Sequence, residues 1–192
     1  MQATERHIFW EPWYEPGLEH LAFVRSDSGI FADSLVLRVQ EGRPLRLHYR
    51  IRCDALERVR TVDIKLLDGK RSTLTLQSDG AGNWTDGAGE PVPVLTGCFE
   101  VDISATPFTN TLAIRRLQLQ PGAAADLHVA YIAVPELRVE SVAQRYTCLE
   151  RTLDGGCYTY AGLFRGFTAD LPVDADGIVF DYPETFRRVT SR

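Results

Sequence analysis

Two carboxylates placed two residues apart, Glu100 and Asp102 in the run GCFEVDIS, could do chemistry together. On an extended strand such residues share one face at roughly 6–7 Å spacing. So placed, they could accept hydrogen bonds from sugar hydroxyls. They could also serve as the acid and base of a glycosidase, whose carboxylates stand about 5–9.5 Å apart. The plain alternative is a solvated strand face, because Phe99, Val101 and Ile103 already supply an apolar side.

Arg115 and Arg116 follow in IRRLQL. Read as a strand, this run puts Arg115 on the face of Leu117 and Leu119, and Arg116 with Ile114 and Gln118. An arginine on an apolar face is costly unless paired, so Arg115 is expected to meet Glu100, Asp102 or Asp54, as a structural ion pair or as part of a ligand site. Glu19 lies beside His20 in GLEHL, where the bland reading is a strand end at the surface. Asp54 begins a loop, a placement that favours function. Tyr49, Tyr146 and Trp84 could stack on a sugar or line an acyl groove, although core packing is the commoner fate of such side chains.

Other chemistries lack their residues. There is no GxSxG elbow, and His7, His20, His48 and His128 are scattered. Cys53, Cys98, Cys148 and Cys157 have no CxxC spacing and read as free buried thiols rather than a disulfide framework or zinc site. No metal or cofactor is expected. The glycines around Asn83 and Trp84 match neither GxGxxG nor GxxxxGK and mark tight turns about a short strand. A hydrolase would therefore rest on paired carboxylates drawn from Glu19, Asp54, Glu100 and Asp102.

The elements that must position these residues are mainly strands. PLRLHYRIRCD alternates strictly, with Leu45, Leu47, Tyr49, Ile51 and Cys53 on one face and arginines and His48 on the other. SLVLRVQ precedes it through the turn EGRP. VRTVDIKLL follows and ends at a turn at Asp68-Gly69, and STLTLQS extends a meander of hairpins. IRRLQLQPG, DLHVAYIAV, RVESVAQRYTCLE, CYTYAGLFRGF and GIVFDY continue the β pattern, with VDADG as a hairpin turn. One helix stands out over Pro107 to Leu112. Thr106 can cap it, Pro107 suits its first position, and Phe108 and Leu112 lie four apart and need an apolar surface inside the curve of the sheet.

At 192 residues, with 44% hydrophobic and 24% charged, the chain reads as a single ordinary globular domain over 1–192. A formal charge of −5 gives no general footprint for nucleic acid. The N-terminal MQATERHIFWEPWYEPG has no basic region followed by an apolar one, and no run approaches the ~18 apolar residues of a membrane span, so a cytoplasmic protein is expected.

Taken together, GLEHL, YRIRCD, DGAGNW, GCFEVDISATPFTNTLAIRRLQL, AQRYT and VDADGIVFDYP resemble the bacterial putative glycolipid-binding family, formerly a domain of unknown function. The resemblance runs in order from Trp10 to Arg188, and TPFTNTL with IRRL is its most specific piece. Ala113 stands where members often have Pro, and Ala55-Leu56-Glu57 replaces a stretch that often carries Trp. The resemblance implies a large antiparallel sheet curved like a half-barrel around a single short helix, remotely like the lipoprotein localization factors. It also implies an acidic pocket for sugar or lipid headgroups, a homodimer, and a role in glycolipid metabolism without catalysis. The candidate ligand residues are then Glu19, Tyr49, Asp54, Glu100, Asp102, Arg115 and Tyr146. A carbohydrate-active hydrolase is the alternative, and a scaffolding dimer with no pocket is a third reading.

Overall fold

A computed structural model describes residues 3–67 and 72–189, so the turn expected at Asp68-Gly69 lies outside the described residues. Strands β1 (Thr4–Pro12), β2 (Gly17–Ser26), β3 (Gly29–Gln40), β4 (Arg43–Cys53), β5 (Val59–Leu66), β6 (Thr73–Ser78) and β7 (Trp84–Asp86) come first. Then follow β8 (Glu100–Ile103), helix α1 (Phe108–Leu117), β9 (Ala124–Ala133), β10 (Arg138–Arg151), β11 (Gly155–Gly162), β12 (Phe167–Asp174), β13 (Asp181–Tyr182) and β14 (Phe186–Arg188). The chain is mainly β, with a large antiparallel sheet and a curled half-barrel sheet about one helix.

The large sheet sets β1 to β7 side by side in chain order, and the β13–β14 hairpin closes on its edge by pairing β14 with β1, Trp10 opposite Arg188. Alternation drives this sheet. Leu45, Leu47, Tyr49, Ile51 and Cys53 all point into the core from β4, while Arg46, Arg50 and Arg52 face solvent. The β3–β4 turn places Glu41 and Gly42 at φ 52° and 71°, the left-handed pair of a tight hairpin. The second sheet has the order β12-β11-β10-β9-β8 and is antiparallel except for β8, which runs parallel to β9. That parallel pair follows from the chain path: α1 crosses between the two strands and returns the chain to the same end, as a βαβ unit must.

The helix is enclosed, and every residue from Phe108 to Ile114 is buried. Phe108 and Leu112 join the core of the large sheet, where the Phe23 and Phe108 rings meet edge to face at 6.0 Å. Ala113 and Ile114 join a second cluster with Tyr146, Leu171 and Val173 from the smaller sheet. The start is close to the expected one: the Thr106 hydroxyl accepts the Phe108 N–H at 3.0 Å, and Pro107 occupies the helix boundary.

Two expectations are corrected here. The helix does not stop at Leu112, and IRRL is its last turns rather than a returning strand; the end comes at Gln118, in a left-handed conformation at φ 44°. Four residues reading apolar-basic-basic-apolar fit a strand or a helix, and contacts with both sheets decide for the helix. GCFEVDIS also does not set both carboxylates on a wet face, since Glu100 is buried and Asp102 half-buried. Glu100 is 1% exposed while Phe99 is 40% exposed, because α1 lies over the carboxylate side of β8 and the large sheet's core covers Val101 and Ile103. Among the described residues no helix is long and apolar enough to cross a membrane.

Candidate functional site

Glu19 points inward from β2 and is 2% exposed, which corrects the reading of GLEHL as a surface strand end. Three hydroxyls donate to its Oε1: Tyr49 at 2.6 Å, Ser34 at 2.8 Å and Thr106 at 2.8 Å. Its Oε2 is buried without a partner among the described residues. Burial pushes the Glu19 carboxyl up to about 7 against the pull of these donors.

Glu100 and Asp102 leave β8 under the helix but face different neighbours. Glu100 accepts from Arg116 Nη1 at 2.9 Å, and burial pushes its carboxyl up to about 7 against that arginine. Arg116 also lies over the Phe99 ring, 4.6 Å from its centroid. Asp102 accepts from Gln144 Nε2 at 2.6 Å and from the Thr109 hydroxyl at 3.2 Å. Burial raises this carboxyl too, with both donors acting in the opposite direction.

Arg115 does not pair with Glu100, Asp102 or Asp54. Its Nε donates to Glu57 at 2.8 Å, Nη2 also bonds Glu57, and Nη1 donates to the Asp176 carbonyl at 2.7 Å. The strand reading fails because on a helix consecutive arginines diverge by roughly 100°, which sends Arg115 toward the loop at residue 57 and Arg116 toward β8. Asp54 holds that loop together, accepting from the Leu56 N–H at 3.0 Å, the Arg58 N–H at 3.1 Å and Arg58 Nε at 2.8 Å. Partial burial acts upward on Asp54, but the hydrogen bonds from Arg58 outweigh it and hold the carboxyl below the usual range.

The aromatic candidates are core residues with engaged polar ends. Tyr49 and Tyr146 are buried, and the Tyr146 hydroxyl donates to Asn110 Oδ1 at 2.8 Å. Trp84 is buried and donates from Nε1 to the Cys98 carbonyl at 2.8 Å. Cys53, Cys98 and Cys148 are free and buried, and Cys157 is free and half-buried.

Two clefts open at opposite ends of α1. The smaller, of about 210 Å³, has a polar wall of Asp102, Thr106 and Asn110 near the helix start. Aromatic side chains line the same cleft: Tyr160, Phe167 and Tyr182 form a triangle with ring centroids 5.8–6.4 Å apart. Tyr131 and Phe164 add a second pair at 5.3 Å, with the Arg165 guanidinium 4.9 Å from the Tyr131 centroid. The larger cleft, of about 650 Å³, lies near the helix end between Arg115, Arg116, Glu57 and the β10–β11 hairpin.

The smaller cleft thus gathers four of the seven candidate positions in depth. Asp102 lines it, Glu19 and Tyr49 stand behind Thr106, and Tyr146 stands behind Asn110. Arg115, Asp54 and, through Arg116, Glu100 belong to the other end. Sequence reasoning misses Tyr131, Tyr160, Phe164, Arg165, Phe167 and Tyr182; the aromatic density of CYTYAGLFRGF is a signal for Tyr160, Phe164, Arg165 and Phe167, and nothing local points to Tyr131 or Tyr182.

The family model described as putative glycolipid-binding matches residues 7–188. A crystal structure of a DUF1089 family protein from Pseudomonas aeruginosa is similar at a TM-score of 0.79 and 37% sequence identity, covering 89% of this chain and 92% of that one. No curated protein matches the chain.

Proposed function

This chain belongs to the putative glycolipid-binding family, and we propose that it binds the sugar headgroup of a glycolipid or similar amphiphile in the smaller cleft. The observation that carries this reading is a half-buried carboxylate, Asp102, lining the same cleft as the Tyr160–Phe167–Tyr182 triangle. A sugar offers hydroxyls along its edge and C–H groups on its face. The hydroxyls would donate to Asp102 and exchange bonds with Asn110 and Thr106, while the rings would pack on the C–H face. A volume of about 210 Å³ falls below the ~300–1,000 Å³ of drug-sized sites, so the cleft takes one headgroup and leaves the chains outside it. Glu19 and Tyr49 act behind Thr106 by fixing its hydroxyl, and Tyr146 acts behind Asn110. Binding without catalysis would place the protein in glycolipid metabolism as a carrier or sensor. Native mass spectrometry of the protein purified from a bacterial host should reveal a bound lipid, or added glycolipid should raise the melting temperature. Absence of both effects across a broad panel of glycolipids would refute this reading.

A hydrolase is the second reading, favoured by two carboxylates two residues apart on one strand, Glu100 and Asp102. Of these, Glu100 is pushed up to about 7, as a general acid that holds its proton near neutral pH requires. Release of a chromophore from aryl glycosides, lost in Asp102→Asn, would establish it; silence across α- and β-linked substrates would remove it.

A further inference from the structure

The larger cleft has a chemistry unlike the smaller one. Its wall carries Arg25, Arg115, Arg116 and Arg151 against two carboxylates, Glu57 and Asp174. Asp174 is already matched from outside the cleft by Arg6 and Arg188, each at 2.8 Å. Glu57 is shared by Arg115 and Arg25, and Arg25 Nη1 also stands 3.7 Å from Asp176 Oδ1. Arg116 uses Nη1 on Glu100, and Arg151 makes one long contact, Nη1 to the Gln118 carbonyl at 3.4 Å, with no carboxylate partner among the described residues. This excess of guanidinium sits in a chain whose formal charge is −5.

Cations near a helix end offset its negative pole, and that accounts for Arg115 and Arg116. It does not account for Arg25 from β2 or Arg151 from the β10–β11 hairpin, which converge on the same cleft from other elements. Arg115 is a strut, since Glu57 and the Asp176 carbonyl take its Nε and both Nη atoms. Gly177 makes room for it: a Cβ there would stand 3.1 Å from Arg115 Cγ, and φ is +75°. The remaining three arginines come from three separate segments, as a multi-oxygen anion requires of its donors.

We propose that the larger cleft is an anion site that takes a phosphate group, held by Arg25, Arg116 and Arg151. Guanidinium forks match phosphate oxygens in geometry as well as charge. The phosphate belongs either to a soluble phosphorylated compound or to an anionic lipid headgroup. Leu153 is 97% exposed and Leu56 70% exposed on the two loops that rim the cleft, which sets apolar tips beside the arginines where a bilayer boundary would lie.

The test titrates the protein with inorganic phosphate and glycerol phosphate at constant ionic strength. In parallel it sediments the protein with phosphatidylcholine vesicles with and without phosphatidylglycerol. Arg151→Gln and Arg25→Gln, checked for folding by circular dichroism, should each weaken phosphate or vesicle binding about tenfold, the worth of one charge-assisted contact. Binding of the soluble phosphates identifies a free compound. Binding only to the anionic vesicles, weakened also by Leu153→Ser, identifies a lipid headgroup. Sugar-dependent melting shifts at the smaller cleft should survive Arg151→Gln, so the two sites fail separately. No binding in either arm, or binding that both arginine variants retain in full, overturns the proposal.

Discussion

Arg116 donates from Nη1 to Oε1 of Glu100 at 2.9 Å, tying the last turn of the helix to the first residue of the strand beneath it. Glu100 is 1% exposed and its Oε2 lacks a hydrogen-bond partner among the described residues, so this contact is the main compensation for its charge. Arg116→Met should destabilise the fold by about 2–4 kcal/mol, less than the loss of a fully buried partner because Arg116 itself is partly solvated. Adding Glu100→Gln should recover part of the loss, and strict additivity in a urea-unfolding cycle would show that the two charges are not coupled.

Arg115 gives a parallel case with a different partner. Arg115→Met should cost about 1–2 kcal/mol, because Glu57 loses its bidentate partner but keeps Arg25, and Glu57→Gln should recover part of it. Asp102→Asn should be additive with Arg115→Met, because no contact joins them. Recovery by Asp102→Asn instead would contradict the helical placement of Arg115.

The course of stability with pH follows from the buried carboxyls. Glu19 and Glu100 keep their protons up to about 7 in the fold but lose them near 4.5 when unfolded. In that window the native state holds more protons, so stability falls as pH rises, by on the order of 3 kcal/mol for each group. Asp33, Asp54 and Asp174 shift the other way, despite partial burial, through hydrogen bonds from His48, Arg58 and Arg6; their contribution is present above the ordinary Asp range and lost as pH falls through their lowered values. Urea unfolding should therefore give a higher free energy at about pH 5 than at about pH 8. Glu19→Gln should flatten that slope, and an unchanged slope in this variant would show that Glu19 is ionised throughout.

The β framework is legible in the sequence where burial is one-sided. The alternation of β4 gives its inward residues directly, and Thr106-Pro107 with Phe108 and Leu112 gives the start and apolar face of α1. Legibility fails where tertiary contacts cover a second face. Nothing local in GCFEVDIS tells that a helix will lie on its carboxylate side, so buried Glu100 and half-buried Asp102 both read as wet. The same covering helix explains the misreading of Arg115, since the run at 114–117 fits both periods and only its partners choose. The aromatic wall is hidden for a further reason: Tyr131, Tyr160, Phe167 and Tyr182 come from four different strands and meet only after the smaller sheet curls against the β13–β14 hairpin.

The sharpest separation of binding from folding comes from two phenylalanines. Phe108 is fully buried between the helix and the large sheet, and Phe108→Ala should cost about 3–5 kcal/mol of stability, removing most of the folded protein before binding can be read. Phe167 is 39% exposed and lines the cleft, where its ring stands near those of Tyr160 and Tyr182. Phe167→Ala should leave the unfolding free energy within about 1 kcal/mol of the parent. It should weaken headgroup binding about tenfold, because a sugar face packed on three rings loses one of them. Asp102→Asn should match that loss while keeping the rings in place, since a neutral amide accepts sugar hydroxyls less strongly than a carboxylate. Titration of both variants with a glycolipid that stabilises the parent decides the matter: unchanged affinity in both would move the headgroup out of this cleft, whatever the protein binds.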